Sequence, residues 1–432
     1  MFVARLRLVN FRSYCDATVT FGDGLNVVVG ANATGKTNLL EGAWFALRGS
    51  SPRTRREEKL VTWGQRFTRV ELELDGSAAG RQTVAVAYAT GQGKRAHWNG
   101  VEVPSQDDLR GRSQVFIFVP ESLLLVKGSP ARRRAHLDAF AAALDPQYGA
   151  AARELQTALR QRNAQLLAVK HGASAAALGP WDAQFARFAT ELGRRRRDLV
   201  AELAALFSAV AAELVPGDAQ FRLQLVSQLG GVDYEEQALL DELRARRPGE
   251  TSRGLSLFGP HRDDLRFLEV SPAAAKAAGS GRDKDDSDPP SAQVAARIPA
   301  AAVSGPACGP VDLPRGGRDL RLFGSQGEQR AAVLALLLAE QQLAAARTGT
   351  RGTLFLDDVM SELDDSRRRL LVRMLASAGQ AIITTTNRQY FTEDELRGAT
   401  VIELPVDGSV TAGSVAPPAD ASGPAPPEDA AL

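Results

Sequence analysis

The chain has 432 residues, 44% of them apolar and 24% charged, enough to bury a large core and, on length alone, to form about two or three domains. Its net charge of +1 neither shows nor excludes a nucleic-acid partner, because the basic clusters "PRTRREEK", "PARRRAH" and "GRRRRD" stand apart from an acidic tail. Two distant cysteines, Cys15 and Cys308, without CxxC spacing, and only four histidines argue against a disulfide framework, a zinc site or a histidine metal cluster. No segment has the apolar length of a signal peptide or a membrane span, so a soluble, cytoplasmic protein without a membrane partner is expected.

Residues 2–29 read as two or three short strands: "FVARLRLVNF" alternates, and "LNVVVG" is a continuous apolar run of the kind a buried parallel strand shows. The spacing in "KTNLLEGAWFALRG" predicts a helix with a glycine stop. Between 60 and 119, "RVELELDG", "TVAVAYAT", "AHWNGVEV" and "SQVFIFVP" read as strands joined by turns. From about 130 to 250 the pattern is almost wholly helical, with helices too short and too often broken by Gly and Pro for an extended coiled coil, so a compact arm is expected. Residues 271–318 are rich in Ala, Gly, Pro and Ser, with almost no large apolar side chains to offset ordering entropy, and the tail 408–432 has the same character; both are expected to be disordered. Between them, "GTLFLDDVMSELDD", "SRRRLLVRMLASAG" and "QAIITTTN" give strand, helix, strand, the crossover unit of a parallel sheet.

The strongest motif is "GANATGKT", which fits G-x-x-x-x-G-K-[ST] between a predicted strand and a predicted helix. Gly30, Ala31, Asn32, Ala33, Thr34, Gly35, Lys36, Thr37 and Asn38 are the candidate ATP-binding residues. The glycines let backbone N–H groups wrap phosphate oxygens, Lys36 reaches the β- and γ-phosphates, and Thr37 offers a ligand to Mg²⁺. In "TLFLDDVMSELD" an apolar strand ends in two carboxylates at the sheet edge where α/β sheets bind ligands. Asp357 would complete the Mg²⁺ shell and Asp358 would orient or deprotonate an attacking water, with Lys36 as the second catalytic candidate. The plainer alternative is that these acids start a turn or cap the next helix. Because the two motifs lie 320 residues apart, any nucleotide-binding head must be assembled from both ends of the chain.

The stretch "SQGE" fits a capping box in which Ser325 caps a helix and Glu328 reaches back, which leaves Gly327 and the Gln326, Gln329 and Arg330 cluster unexplained. A Ser-x-Gly helix start just before an Asp-ending strand resembles the signature loop of ABC-type ATPases. For DNA, the candidates are Arg132, Arg133 and Arg134, then Arg194, Arg195, Arg196 and Arg197, and His261 with Arg262. A run such as "RRRR" reads equally well as a solvated helix face pairing with nearby acids. Without an aromatic-interleaved pattern, DNA binding is expected to be backbone-directed, poor in sequence specificity and strongly salt dependent.

"LRLVNFRSY", "GLNVVVGANATGKTNLLEG", "VFIFVPESLLLVKGSPARRRAHLD", "QRNAQL", "WDAQFA", "GPHRDDL", "SQGEQR" and "LFLDDVMSELD", in this order and spanning most of the chain, resemble the RecF family of bacterial recombination-repair ATPases, relatives of the SMC and Rad-type heads. The resemblance implies an α/β fold: an ABC-type P-loop ATPase head built from N- and C-terminal segments, with an inserted α-helical lobe. The expected boundaries are 1–125 and 319–407 for the two parts of the head, 126–250 for the helical arm and 251–270 for the return to the head. It also implies binding of ATP and Mg²⁺, a head-to-tail homodimer around two ATP molecules in which Ser325 and Gly327 face the partner subunit's γ-phosphate, and binding of DNA at gaps or junctions. RecR and RecO would be partners in placing RecA recombinase at gaps covered by single-strand binding protein. The chain departs from the family in the long 271–318 insert. It also carries Asp357-Asp358 where ABC transporters carry Asp-Glu; the shorter side chain predicts slow, DNA-stimulated turnover. The alternatives are an ABC-type ATPase of a transporter, disfavoured by the charged helical block, or of a phage-defence nuclease, for which too little chain remains after Asp365. A non-hydrolysing, ATP-gated DNA clamp is a third.

Overall fold

The computed structural model describes residues 1–76, 80–215, 220–270 and 317–405. At its centre is a five-stranded parallel sheet drawn from both ends of the chain. Strands β3 (Leu25–Val29) and β8 (Val115–Phe118) come from the N-terminal part. Strands β12 (Thr353–Asp357), β13 (Ala381–Thr385) and β14 (Thr400–Glu403) come from the C-terminal part. Their order is β14-β3-β13-β12-β8. The β3–β13 and β12–β8 pairings interleave the two ends, so the central sheet of the α/β head is assembled from both.

Strand alternation builds a core on each face. Val27, Phe116, Phe118, Leu354, Leu356 and Ile383 point into one, Val28, Ile117, Phe355 and Ile382 into the other. The second core is closed by α1 (Lys36–Arg48) and by a six-stranded antiparallel sheet. Its strands are β1 (Phe2–Phe11), β2 (Tyr14–Thr20), β4 (Phe67–Asp75), β5 (Gln82–Ala89), β6 (Gly93–Trp98) and β7 (Val101–Glu102), in the order β2-β1-β4-β5-β6-β7. Gln380, 3% exposed, fastens the two ends of the chain: its side chain accepts from Val3 N at 2.8 Å and donates to Val3 O at 2.7 Å and Gly22 O at 2.8 Å.

The first core is covered by the helix Gln326–Thr348, buried along most of its length, and by the helical block. The short α2 (Gln106–Arg110) and α3 (Leu124–Lys127) lead into α4 (Pro130–Leu144), α5 (Pro146–Lys170), α6 (Gly179–Leu214) and α7 (Glu236–Arg253). The expectation of short, broken helices is corrected here, since α6 runs for 36 residues. Gly193 interrupts nothing, because it is needed for a close approach: a Cβ there would lie 2.5 Å from Leu229 Cδ1. Pro248 likewise sits inside α7. Strand β9 (Gln220–Val226) interrupts the helical run and pairs with β10 (Asp264–Val270), which pairs in turn with β11 (Gly317–Asp319). The expected disorder at 271–318 is therefore corrected at its last residues, Gly317 and Arg318, which are strand; 271–316 and the tail 408–432 lie outside the described residues. Among the described residues no helix is long and apolar enough to cross a membrane.

Candidate functional site

Strand β3 delivers its last residue to the loop 30–35, which turns directly into α1. Gly30 N donates to Thr385 O at 3.2 Å, and Thr34 Oγ1 donates to Ala31 O at 3.0 Å. Ala33 (φ 67°) and Gly35 (φ 96°) both sit in the left-handed region, an arrangement that turns successive N–H groups towards one concavity suited to phosphate oxygens. Lys36 Nζ lies across this loop, donating to Gly30 O and Ala31 O at 2.7 Å each. Burial lowers the pKa of this ammonium, and the charges of Asp358 and Asp357 oppose the shift. Asn32 is exposed at the loop's tip, while Asn38 is held by Ser13 Oγ at 3.0 Å and Arg53 Nη1 at 3.1 Å.

The second carboxylate motif meets this loop. Thr37 Oγ1 donates to Asp357 Oδ2 at 2.8 Å, and Thr384 Oγ1 donates to Asp357 Oδ1 at 2.7 Å. The sheet thus brings together two oxygens that lie 320 residues apart in the chain, and a hydroxyl with a carboxylate is the donor set a P-loop site offers Mg²⁺. Asp358 follows with φ 46°; it accepts from Ser361 Oγ at 3.1 Å, while its other oxygen, Oδ1, is buried without a partner. Burial, then repulsion from Asp357, raises its pKa against the opposing hydrogen bond from Ser361 and the charge of Lys36. An orphaned carboxylate oxygen with raised proton affinity beside a phosphate loop fits a water-orienting base.

Ser325 caps the helix Gln326–Thr348 through a complete capping box: Glu328 N donates to Ser325 Oγ at 3.3 Å and Ser325 N to Glu328 Oε2 at 2.7 Å. Ser325 and Gln326 are exposed, and Gly327 is half-buried. Gln329 leaves the candidate contact set, because it is 4% exposed and its amide donates to Leu320 O at 2.8 Å. Arg330 pairs with Glu362 at 3.3 Å, and Arg318 holds Glu328 at 2.6 Å. Among the described residues, the partners of 325–330 are these, and the phosphate loop is not among them.

The arginine clusters divide by helix face. Arg133 is 3% exposed, binds both oxygens of Asp264 at 2.7 and 2.9 Å and caps the carbonyls at the end of α3, so it is removed as a DNA contact. Arg196, 2% exposed, is removed for the same reason: it joins Asp263, Asp138, Tyr148 and the carbonyl of Pro260. His261 is also corrected. Its ring bonds Ser256 O at 3.2 Å and meets Phe185 edge-on, and burial pushes its pKa down to about 4, leaving it neutral near pH 7. Arg134 and Arg195 are half-buried, on Asp263 O and on Glu191 with Asp145. Arg194 pairs with Glu235 and Arg197 with Asp198 beside Tyr234, while Arg132 and Arg262 are exposed. The resemblance motifs in the arm hide a network invisible to residue-by-residue reading. Arg162, wholly buried, binds Asp182 at 2.8 Å, Ser256 at 2.7 Å and Glu250 at 2.5 Å.

A parallel sheet in which the strand before the phosphate loop and the Asp-ending strand flank one other strand, each from a different end of the chain, defines the head fold of ABC-type P-loop proteins. The family model described as "RecF/RecN/SMC N terminal domain" matches residues 2–403. The DNA replication and repair protein RecF of Heliobacterium modesticaldum is 33% identical over 411 residues, covering 94% of this chain and 97% of that protein. Its counterpart in Geobacillus kaustophilus is 29% identical and covers 96% and 100%. A solved structure described as the recombination mediator protein RecF-ATP in the RecFOR pathway superposes with a TM-score of 0.74 at 23% identity, covering 96% and 98%. A Pyrococcus furiosus Smc head domain with an extended coiled coil reaches 0.51 at 16% identity, covering 94% of each chain. The chain belongs to the RecF family of DNA replication and repair proteins, within the RecF/RecN/SMC group.

Proposed function

We propose that this chain is an ATP-dependent DNA-binding protein of recombination repair whose subunits close on one another around ATP. The observation that carries the reading is the junction of Thr37 with Asp357 beside a phosphate-shaped loop, in a chain whose capped Ser325 loop leaves its serine exposed. The solved relative described as RecF-ATP supports nucleotide binding, and its description as a recombination mediator in the RecFOR pathway supports DNA, RecR and RecO as partners in recombinase loading.

In this reading the loop 30–35 and Lys36 bind the phosphates, with Lys36 leaving the carbonyls of Gly30 and Ala31 for them. Thr37 and Asp357 hold Mg²⁺, which when bound supplies charge neutralisation at the phosphates. The Asp358 carboxylate takes the proton of the attacking water, and the aspartate's short reach makes turnover slow. The helix start at Ser325 offers its hydroxyl and exposed amides to the partner subunit's nucleotide, so removal of the γ-phosphate takes away the interaction that favours the closed dimer. Sedimentation with ATP, ADP or no nucleotide, with and without gapped duplex DNA, tests this: the wild type should dimerise with ATP, and Lys36→Arg and Ser325→Arg should weaken the dimer. A Ser325→Arg protein that dimerises normally refutes the in-trans interaction.

A further inference from the structure

Trp63, 98% exposed, is the most exposed large apolar side chain among the described residues. The backbone that carries it is held in place. The chain before it is pinned to β1, with Arg12 N donating to Leu60 O at 2.7 Å and Thr62 N to Asn10 O at 2.9 Å. Gln65 N donates to Thr62 O at 3.0 Å, which closes a tight turn with Trp63 at its second position and Gly64 (φ 82°) at its third. Thr90 N then fixes Arg66 O at 3.0 Å as β4 begins.

The same loop carries Arg55, Arg56, Lys59 and Arg66, all exposed and making no ion pair among the described residues. Of its two acids, Glu57 pairs with Lys94 of β6, and Glu58 is exposed. Four cations therefore stand with one exposed acid beside an indole carried on a pinned turn. Arg12 also ties the loop to the phosphate-binding helix, donating to Lys59 O at 2.8 Å and to both oxygens of Glu41 on α1 at 2.7 and 2.9 Å.

We propose that the Trp63 turn, with Arg55, Arg56, Lys59 and Arg66, binds single-stranded nucleic acid, an unpaired base stacking on the indole while the cations follow the backbone. The proposal rests on the DNA-binding reading above and adds to it a site outside the arginine clusters of the helical arm. Base–aromatic stacking tolerates any base, so the site is compatible with poor sequence specificity, whereas a paired base offers its face to no side chain. An acidic protein segment would satisfy the cations but gain no base stacking.

The test uses the full chain with Mg-ATP, a labelled oligo(dT) and a duplex of equal length. Trp63→Ala should weaken single-strand binding about tenfold, one stacked base's worth, and leave duplex binding unchanged, with Trp63→Phe recovering most of the affinity. Replacing the four cations with Ala should weaken both and reduce the single-strand salt slope by about 0.7 for each phosphate no longer neutralised. Unaltered single-strand affinity in Trp63→Ala, or an equal weakening on duplex, overturns the stacking site. So does a wild-type loop that takes up an acidic peptide and not oligo(dT). If those results come with intact ATP-dependent dimerisation and duplex binding, only this site fails; a wild type that binds neither DNA with ATP overturns the broader reading as well.

Discussion

Arg196 separates a structural from a DNA-binding account of the "RRRR" run. Its guanidinium donates to Asp263 at 2.7 Å, Asp138 and Pro260 O at 2.8 Å and Tyr148 at 3.1 Å, while Asp263 is itself 1% exposed. Arg196→Ala leaves that carboxylate buried without its cation, which costs about 3–5 kcal/mol. Arg194→Ala removes only an exposed pair, worth about 0–1 kcal/mol, and Arg197→Ala an exposed pair and a cation–π contact with Tyr234, worth about 1–2 kcal/mol together. The sign with pH follows from Asp263. Burial already raises its pKa and Arg196 is the largest influence lowering it, so in the variant the carboxyl holds its proton to still higher pH. The variant's deficit should thus be largest at neutral and alkaline pH and shrink as pH falls through the raised pKa. Denaturant melts of the three variants at about pH 7.5 and about pH 5.5, beside DNA affinity, measure this. An Arg196→Ala protein with wild-type stability and weakened DNA binding would refute the buried-network account.

Asp358→Asn should cut ATP turnover by about 10²–10⁴-fold with nucleotide affinity retained, as measured by phosphate release and equilibrium binding. Because burial raises the Asp358 pKa, the base form is lost as pH falls at a higher pH than an ordinary aspartate of about 3.9 would allow. In the metal-free protein, the titration of this carboxyl followed by NMR should lie correspondingly higher. Gln380→Ala strands the buried backbone groups of Val3 and Gly22 and should destabilise the head by about 2–4 kcal/mol in a denaturant melt.

The phosphate loop, the Asp-ending strand and the split head are legible in the sequence because each rests on a local pattern: Gly-Lys-Thr after an apolar strand, or carboxylates at a strand's end. What is illegible depends on pairings across the chain. Arg196 lies on the α6 face that carries Leu192, Leu199, Val200 and Leu203, but a run of four arginines reads as solvated until Asp138 and Asp263 are known to face it. Arg162 and Asp182 fall within the motifs that carry the family resemblance, yet nothing local says that they bond to each other and to Glu250. Strand β9 does alternate apolar and polar residues, but the signal is short and surrounded by helical pattern on both sides. Trp63 has no sequence signal of its own, because aromatic exposure at a turn is a property of the folded surface, and the basic cluster before it looks balanced by Glu57 and Glu58.

Val270 and Gly317 face each other across an antiparallel ladder, and Arg318 grips both Glu269 and Glu328. Val270 and Gly317 are therefore stapled to one another and to the cap of the helix Gln326–Thr348. Strand β11 is thus tied to the start of the Ser325 loop through one guanidinium, which also holds Phe323 O at 3.2 Å.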